Sequence, residues 1–115
     1  MGHEVIFATG TDGYVGKLIL VRPGHALSLQ YHELKDETIC MISGEAVLDY
    51  GPSGGVLASR VMRRGDTVHL PATVVHRITA RTTVLFVEAS TAALGWQRDV
   101  VRLSDDYGRA GTNQT

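Results

Sequence analysis

The chain alternates short apolar or β-branched stretches with turns made of glycine, proline and charged residues. Each stretch has the length of a strand, and turns recur every 8–12 residues or so, which is typical of a β-sandwich or barrel. Nine stretches follow this pattern: Val5–Ala8, Tyr14–Val21, His25–His32, Glu37–Ile42, Glu45–Tyr50, Val56–Met62, Thr67–Leu70, Val75–Ala80 and Thr83–Ala89. The pattern therefore predicts an all-β fold.

The third stretch has a second interpretation, because Leu27, Tyr31 and Leu34 would share one face of a helix. The turn signal Pro23-Gly24 before it, and the β-branched residues after it, favour the strand. Beyond the last predicted strand the regular pattern ends. We expect one domain over residues 1–110 and a disordered tail over residues 111–115, which has nothing to bury.

Composition and charge exclude several function classes. The 115 residues are 43% hydrophobic and 20% charged, and the net charge is −1. This balance gives no electrostatic basis for binding nucleic acid or an acidic membrane. No apolar run approaches the roughly 18 residues of a membrane span. The start of the chain lacks a signal-peptide pattern, and Cys40 alone cannot form an internal disulfide. We therefore expect a cytoplasmic protein.

Four polar residues form a candidate metal site. Gln30 and His32 are two apart, so on a strand they point to the same face. Glu37 follows after a short polar turn, and His76 begins a later apolar strand. Two imidazoles, a carboxylate and an amide oxygen suit one divalent Zn, Mn, Fe, Co or Ni ion rather than Ca or Mg. Ordinary surface or hydrogen-bonded polar residues are the alternative interpretation.

Two segments resemble the motifs of the cupin superfamily. The segment Gly24-x5-Gln30-x-His32-x4-Glu37-x6-Gly44 resembles the first cupin motif, with Gln in place of the first His. The segment Gly65-Asp66-x4-Pro71-x4-His76 resembles the second. The resemblance implies a cupin double-stranded β-helix, a jelly-roll barrel whose four motif positions bind a divalent metal at one mouth.

A closer resemblance is to the cupin domain of type II mannose-6-phosphate isomerases. It lies in the run from Pro23 to His32, in the pair His76-Arg77 and in the closing segment from Asp99 to Arg109. The chain departs from that group after His32, where Glu33-Leu34-Lys35-Asp36 replaces a His-rich stretch. It also departs at Ala72-Thr73, where the group has glycine.

This resemblance implies a metal-dependent isomerase acting on a sugar phosphate. Such a reaction needs a base near two adjacent carbons, and the candidates are Glu33 and Glu88, with Lys35 as a proton donor. Lys17, Arg77 and Arg109 are candidates for holding the phosphate, and His69 for lining the pocket.

Each of these residues also has a structural interpretation. Glu33 and Lys35 would be solvated in a polar turn, and Glu88 either faces solvent or enters the barrel mouth. Arg77 would pair with Asp99 or Asp106, and His69 would be a partly buried, hydrogen-bonded residue.

Two other functions stay open at this point, a non-catalytic sugar-binding or sensory cupin and a metal-dependent cupin dioxygenase. In each case the expected partner is a small polar molecule, with no nucleic acid and no membrane. The apolar strand Val5–Ala8 would also be free to pair with a second subunit, so we expect a homodimer.

Overall fold

The computed structural model of the protein describes residues 2–10, 13–92 and 98–104. Within these ranges the chain forms ten strands and no α-helix, and so no helix long and apolar enough to cross a membrane. The strands are β1 Gly2–Thr9, β2 Tyr14–Val21, β3 Leu29–Tyr31, β4 Glu37–Ser43, β5 Ala46–Gly51, β6 Ala58–Met62, β7 Thr67–Leu70, β8 Val75–Ala80, β9 Val84–Thr91 and β10 Val101–Ser104.

The strands form two antiparallel sheets of five strands each. The first sheet has the order β1-β2-β9-β4-β7 and the second has the order β10-β3-β8-β5-β6. One apolar cluster joins them, because Ile19, Met41 and Phe86 of the first sheet pack with Leu48 and Ile78 of the second. The fold is therefore a β-sandwich with its core between the sheets.

Along the strands, the side chains that face the interior change from apolar to polar. On β9, Val84 and Phe86 are buried in the apolar cluster, and the next two inward positions are the polar residues Glu88 and Ser90. On β4, Met41 and Ile39 lie in the cluster, and the strand begins at the buried Glu37. One end of the sandwich is thus packed with apolar side chains, and the other end carries polar groups.

The predicted strands agree closely with the observed ones in most of the chain. Strands β2, β7 and β8 have the predicted bounds, and the others, except the third, differ by one to three residues at an end. The predicted strand His25–His32 shortens to β3, and its first half joins β8 only through a bridge at Ala26 and main-chain hydrogen bonds. The helix alternative for this segment is wrong. Strand β10 was not predicted.

Strand β1 lies at the edge of the first sheet and pairs only with β2 among the described strands. Its central residues Val5, Ile6 and Phe7 are about half exposed. An exposed apolar edge strand can pair with a second chain, and the homodimer stays a prediction. The tail over residues 111–115 lies outside the described residues, and the single domain over residues 1–110 likewise stays a prediction.

Two glycines in turns adopt left-handed backbone conformations for different local reasons. Gly44, between β4 and β5, has φ +86°, and a Cβ there would lie 2.1 Å from the carbonyl oxygen of Thr83. Gly65, between β6 and β7, has φ +85°, and a Cβ there would meet no atom within 4 Å. A comparison of substitutions at the two positions therefore distinguishes the cost of left-handed backbone strain from the cost of a steric clash.

We predict that Gly44→Ala destabilises the protein more than Gly65→Ala does. Gly65→Ala adds only the left-handed strain of an L-residue, about 1–2 kcal/mol. Gly44→Ala adds the same strain and a clash with rigid main chain, a further cost of about 1–3 kcal/mol. Chemical denaturation of both variants measures this difference in unfolding free energy, and equal losses would contradict the steric argument.

Candidate metal centre

Three buried side chains meet at the polar end of the sandwich. Glu37 is the first residue of β4 in the first sheet, His76 is the second residue of β8 in the second sheet, and His32 directly follows β3. All three are at most 6% exposed. Because β4 and β8 belong to opposite sheets, their inward side chains face each other across the interior.

The ligand atoms of these residues converge. The Glu37 Oε1 atom lies 3.3 Å from His32 Nε2 and 3.0 Å from His76 Nε2. One nitrogen or oxygen atom from each of the three residues lies within 4.8 Å of the others. Such a cluster is compact enough for one metal ion to contact all three groups.

Main-chain carbonyl groups fix the orientation of both imidazole rings. The Nδ1–H of His76 donates to the Val74 carbonyl oxygen at 3.0 Å, and the Nδ1–H of His32 donates to the Asp99 carbonyl oxygen. A carbonyl oxygen only accepts, so each Nδ1 carries a proton, and in the neutral ring Nε2 has a lone pair. Both lone pairs therefore point towards the Glu37 carboxylate.

This arrangement places acceptor groups together without a donor between them. His32 Nε2 and both carboxylate oxygens of Glu37 are buried and have no hydrogen-bond partner in the described part of the chain. Buried polar atoms are rarely left unsatisfied in proteins. A divalent cation would satisfy all of them at once, so the residues present fit a metal ion.

The charge on Glu37 supports the same conclusion. Burial opposes ionisation of this carboxyl. When the two rings are protonated, however, their Nε2–H groups donate to the carboxylate and their positive charge attracts it, which outweighs burial and holds the pKa of Glu37 well below its usual range. Glu37 is therefore an anion ready to act as a ligand. Two nitrogen donors and one anionic oxygen suit Zn or another first-row divalent metal.

Gln30 lies beside the three residues. It is the cross-strand neighbour of His76, and its Oε1 accepts a hydrogen bond from Ser28 Oγ at 2.6 Å. Neighbouring residues in register point to the same face of a sheet, and both residues line the same cavity. A role for Gln30 as the fourth ligand stays a prediction.

A cavity of about 140 Å³ adjoins the three residues. Its wall combines apolar side chains with four buried charged ones, Lys17, Lys35, Glu88 and Arg102, which are each at most 8% exposed. Lys17 and Glu88 are cross-strand neighbours on β2 and β9. The Nζ atom of Lys17 also lies 3.4 Å from Oε1 of Glu4. Burial lowers the pKa of Lys35, although the nearby Glu37 opposes this.

The structure brings most of the sequence-predicted site residues together. Gln30, His32 and His76 line the cavity with Lys17, Lys35, Arg77 and Glu88, and Glu37 lies against the two imidazoles. Glu88 therefore enters the interior rather than solvent, and Lys35 is buried rather than solvated. Arg77 is half-buried at the cavity wall.

Two predicted residues lie elsewhere. Glu33 is exposed on the loop after β3 and does not line the cavity. His69 is also exposed and outside the cavity, with its Nε2 2.5 Å from Asp36 Oδ1. The neighbours of His69 on β7 explain this position, since Leu70 is buried, Val68 is half-buried and alternation turns His69 outward. Arg109 lies outside the described residues.

Sequence reasoning missed two residues of this region. Arg102, on β10, lies in register with Gln30 and lines the cavity. Asp99 contacts His32 and the loop that follows it. A signal for Arg102 was present, since the alternation of Val100 with Arg102 indicates a shared face; both are buried. No local signal could have placed Asp99.

A strained residue lies next to the site. Thr73 is the one residue other than glycine with a left-handed backbone in the described ranges, with φ +73°. A β-branched residue in this conformation is a genuine outlier, and it lies in the pair Ala72-Thr73, where the isomerase group that the sequence resembles has glycine. The Thr73 N–H donates to the His32 carbonyl oxygen at 2.6 Å, so the strained turn holds the main chain of a candidate ligand.

Comparison with known proteins supports the cupin fold. No profile of a protein family matches the chain. The capsular polysaccharide assembling protein CapF from Staphylococcus aureus superposes with a TM-score of 0.79 at 17% identity, over 90% of this chain and 32% of that chain. A cupin superfamily protein from Desulfitobacterium hafniense gives a TM-score of 0.69 at 16% identity, over 81% and 79%. The predicted all-β cupin fold is confirmed.

The xanthan biosynthesis protein XanB of Xanthomonas campestris pv. campestris strain B100 is a relative of the chain by sequence. It is 30% identical over 95 residues, which are 81% of this chain and 19% of XanB. The chain thus spans about a fifth of the length of this relative.

We predict that Thr73→Gly is more stable than Thr73→Ala. Both variants lose the hydroxyl, but only glycine loses the Cβ that makes the left-handed backbone costly, by about 1–2 kcal/mol. The greater freedom of glycine in the unfolded chain offsets about 0.4–1 kcal/mol of this gain. Thermal or chemical denaturation of the pair measures the difference, and a more stable alanine variant would contradict it.

We also predict that the chain purified without chelators carries about one divalent metal ion, bound through His32, Glu37 and His76. The double variant His32→Ala, His76→Ala removes two of three ligands and should carry none. The variant His69→Ala is the matched control, because that imidazole is exposed and outside the cavity. Elemental analysis by mass spectrometry measures the content, and equal metal in the double variant would contradict the site.

Proposed function

We propose that this cupin-fold chain is a metal-dependent isomerase that acts on a sugar phosphate, similar to mannose-6-phosphate isomerase. One observation carries the proposal. A buried carboxylate, Glu88, shares a cavity with His32 and His76, which lie against Glu37. A carboxylate and a metal centre in one small cavity are the two chemical requirements for moving a proton between adjacent carbons.

The charge of the cavity favours an anionic, oxygen-rich substrate. Among the described residues the buried cations Lys17, Lys35 and Arg102 accompany the two buried carboxylates Glu37 and Glu88. A divalent ion would add two more positive charges. An excess of positive charge in a partly closed, low-dielectric site attracts negatively charged ligands.

Two kinds of likeness favour a sugar as the substrate. The sequence resembles type II mannose-6-phosphate isomerases at both metal-binding motifs. The sequence relative XanB and the structural neighbour CapF are named for xanthan biosynthesis and for capsular polysaccharide assembly, and both names concern carbohydrate polymers. We therefore favour a sugar phosphate over other small anions.

In this proposal Glu88 is the general base. Its carboxylate takes the proton from C2 of the aldose, and the C–H electron pair becomes the double bond between C1 and C2. At the same time the π pair of the C1 carbonyl moves onto O1. The hydroxyl proton on O2 then passes to O1, so that O2 becomes the ketone oxygen and O1 a hydroxyl, and the electron pair of the C1–C2 double bond takes the proton back from the carboxylate at C1. Lys35 donates a hydrogen bond to a substrate oxygen. A bound divalent metal would supply stabilisation of the negative charge on those oxygens.

The size of the cavity limits how much of the substrate enters. A volume of about 140 Å³ is close to that of cavities that hold one benzene-sized molecule. In our proposal the reacting end of the sugar occupies this space, and the phosphate lies nearer the mouth. Arg77, half-buried at the cavity wall, is the proposed phosphate partner among the described residues, with Arg109 as a further candidate. Lys17 is buried in register with Glu88, so in this proposal it contacts oxygens at the reacting end of the sugar.

The test is exchange of the C2 proton of mannose 6-phosphate in D₂O, followed by NMR with the metal-loaded protein. We predict exchange in the wild type and a loss of about 10²-fold or more in Glu88→Gln, which keeps the shape of the side chain but removes the base. Glu33→Gln is the matched control, because Glu33 is exposed and outside the cavity.

Three outcomes would contradict parts of this proposal. Loss of exchange in Glu33→Gln alone would make Glu33 the base. Binding of mannose 6-phosphate without any exchange would favour a non-catalytic sugar-binding or sensory cupin. Substrate-dependent oxygen consumption with bound iron, and no proton exchange, would favour a dioxygenase.

A further inference from the structure

One aspartate contacts the loop that joins two of the proposed metal ligands. The loop runs from His32 to residue 36, between β3 and β4. Three successive main-chain N–H groups of this loop donate to the Asp99 carboxylate, from Glu33 at 2.9 Å, Leu34 at 3.1 Å and Lys35 at 2.7 Å. Successive N–H groups that converge in this way bind an anion, and here the anion is a side chain of the same protein.

The main chain of Asp99 makes a fourth contact with the same segment. Its carbonyl oxygen accepts the hydrogen bond from His32 Nδ1–H. This bond fixes the ring so that Nε2 points towards Glu37. Asp99 therefore holds both the imidazole of a proposed ligand and the loop after it, which carries the buried Lys35.

Asp99 is itself held by the second sheet. The next residue, Val100, is 2% exposed. Strand β10 then pairs with β3, with Val101 opposite Tyr31 and Arg102 opposite Gln30. Asp99 thus lies two residues before β10, which is paired with β3, and His32 directly follows β3. Its four contacts with the loop are therefore made from a position that the second sheet holds.

We propose that Asp99 is a positioning residue of the metal centre, acting through His32 and the loop from His32 to residue 36. This inference rests on the proposed metal site, but not on the proposed isomerase reaction. Without the carboxylate, three N–H groups lose their acceptor and the loop is free to move away from Asp99. Because His32 begins this loop, such a movement would weaken the hydrogen bond from its ring to the Asp99 carbonyl oxygen and so loosen the orientation of the ring. Groups that orient metal ligands in this way typically contribute 10- to 100-fold to metal affinity.

The experiment compares Co²⁺ binding by the full chain, measured by competition with a chromophoric chelator. We expect Asp99→Ala to raise the dissociation constant by about 10- to 100-fold. Asp99→Asn keeps one acceptor oxygen for the loop and should fall between Ala and wild type. Asp66→Ala is the matched control, because Asp66 caps the main-chain N–H of Arg63 at 2.8 Å in a turn beside Met41, at the apolar end.

Three further readouts distinguish positioning of the metal ligands from general destabilisation of the fold. The visible absorption spectrum of bound Co²⁺ reports ligand geometry, and it should change in Asp99→Ala but not in Asp66→Ala. In the metal-free protein, ¹⁵N NMR of the imidazoles should show the Nδ1–H form of neutral His32 in the wild type and mixed forms in Asp99→Ala. Amide exchange at residues 33–35 should quicken in the same variant.

Each outcome has a defined meaning. Wild-type affinity and spectrum in Asp99→Ala would overturn the inference, as would an equal loss of affinity in Asp66→Ala. Failure of the wild type to bind Co²⁺ would overturn the metal centre and this inference together. Tight Co²⁺ binding that depends on Asp99, with no proton exchange on mannose 6-phosphate, would support the inference and reject only the isomerase.

Discussion

The contact of the Glu37 carboxylate with two imidazole nitrogens is the interaction on which the polar end of this protein depends. An ionised carboxyl removed from water carries a penalty of several kcal/mol unless partners compensate it. Here the groups beside the carboxylate are His32 Nε2 and His76 Nε2, 3.3 Å and 3.0 Å from its Oε1, and protons on these nitrogens or a cation between the three groups would compensate the charge. Both imidazole rings are held in place by main-chain carbonyl groups. The site is therefore preorganised for a cation, and the sandwich has to bring β4 and β8 together from opposite sheets to form it.

The same strands build both the hydrophobic core and the cavity. Along β9, the inward positions pass from Val84 and Phe86 in the core to Glu88 in the cavity. The apolar end supplies the burial that stabilises a small domain. This stability offsets the cost of burying charged groups at the polar end. Electrostatic interactions between these buried groups and a small ligand are stronger than they would be in water. Strain at Thr73 is confined to this end, as is usual for functional sites.

Much of the fold was predictable because strand signals are local. Alternation and turn residues gave the bounds of β2, β7 and β8 directly. The exceptions depended on distant partners. Strand β10 forms by pairing with β3, far away along the chain. The segment before β3 has a strand-like composition, but its main chain bonds to β8 mostly outside a regular ladder.

The sequence by itself determined the residue types of the candidate site and their spacing along the chain, which were enough to single out Gln30, His32, Glu37 and His76. Only the tertiary structure decided which other polar residues join them. The four residues before Glu88 are all apolar, so apolar and polar positions do not alternate there. The local pattern therefore does not indicate whether the Glu88 side chain faces the interior or solvent. The position of Asp99 was equally hidden, because a contact between a loop and a segment over sixty residues later has no local pattern. The periodicity of a strand indicates which of its own residues share a face. The contacts of these residues with other strands and loops depend on how the two sheets pack together.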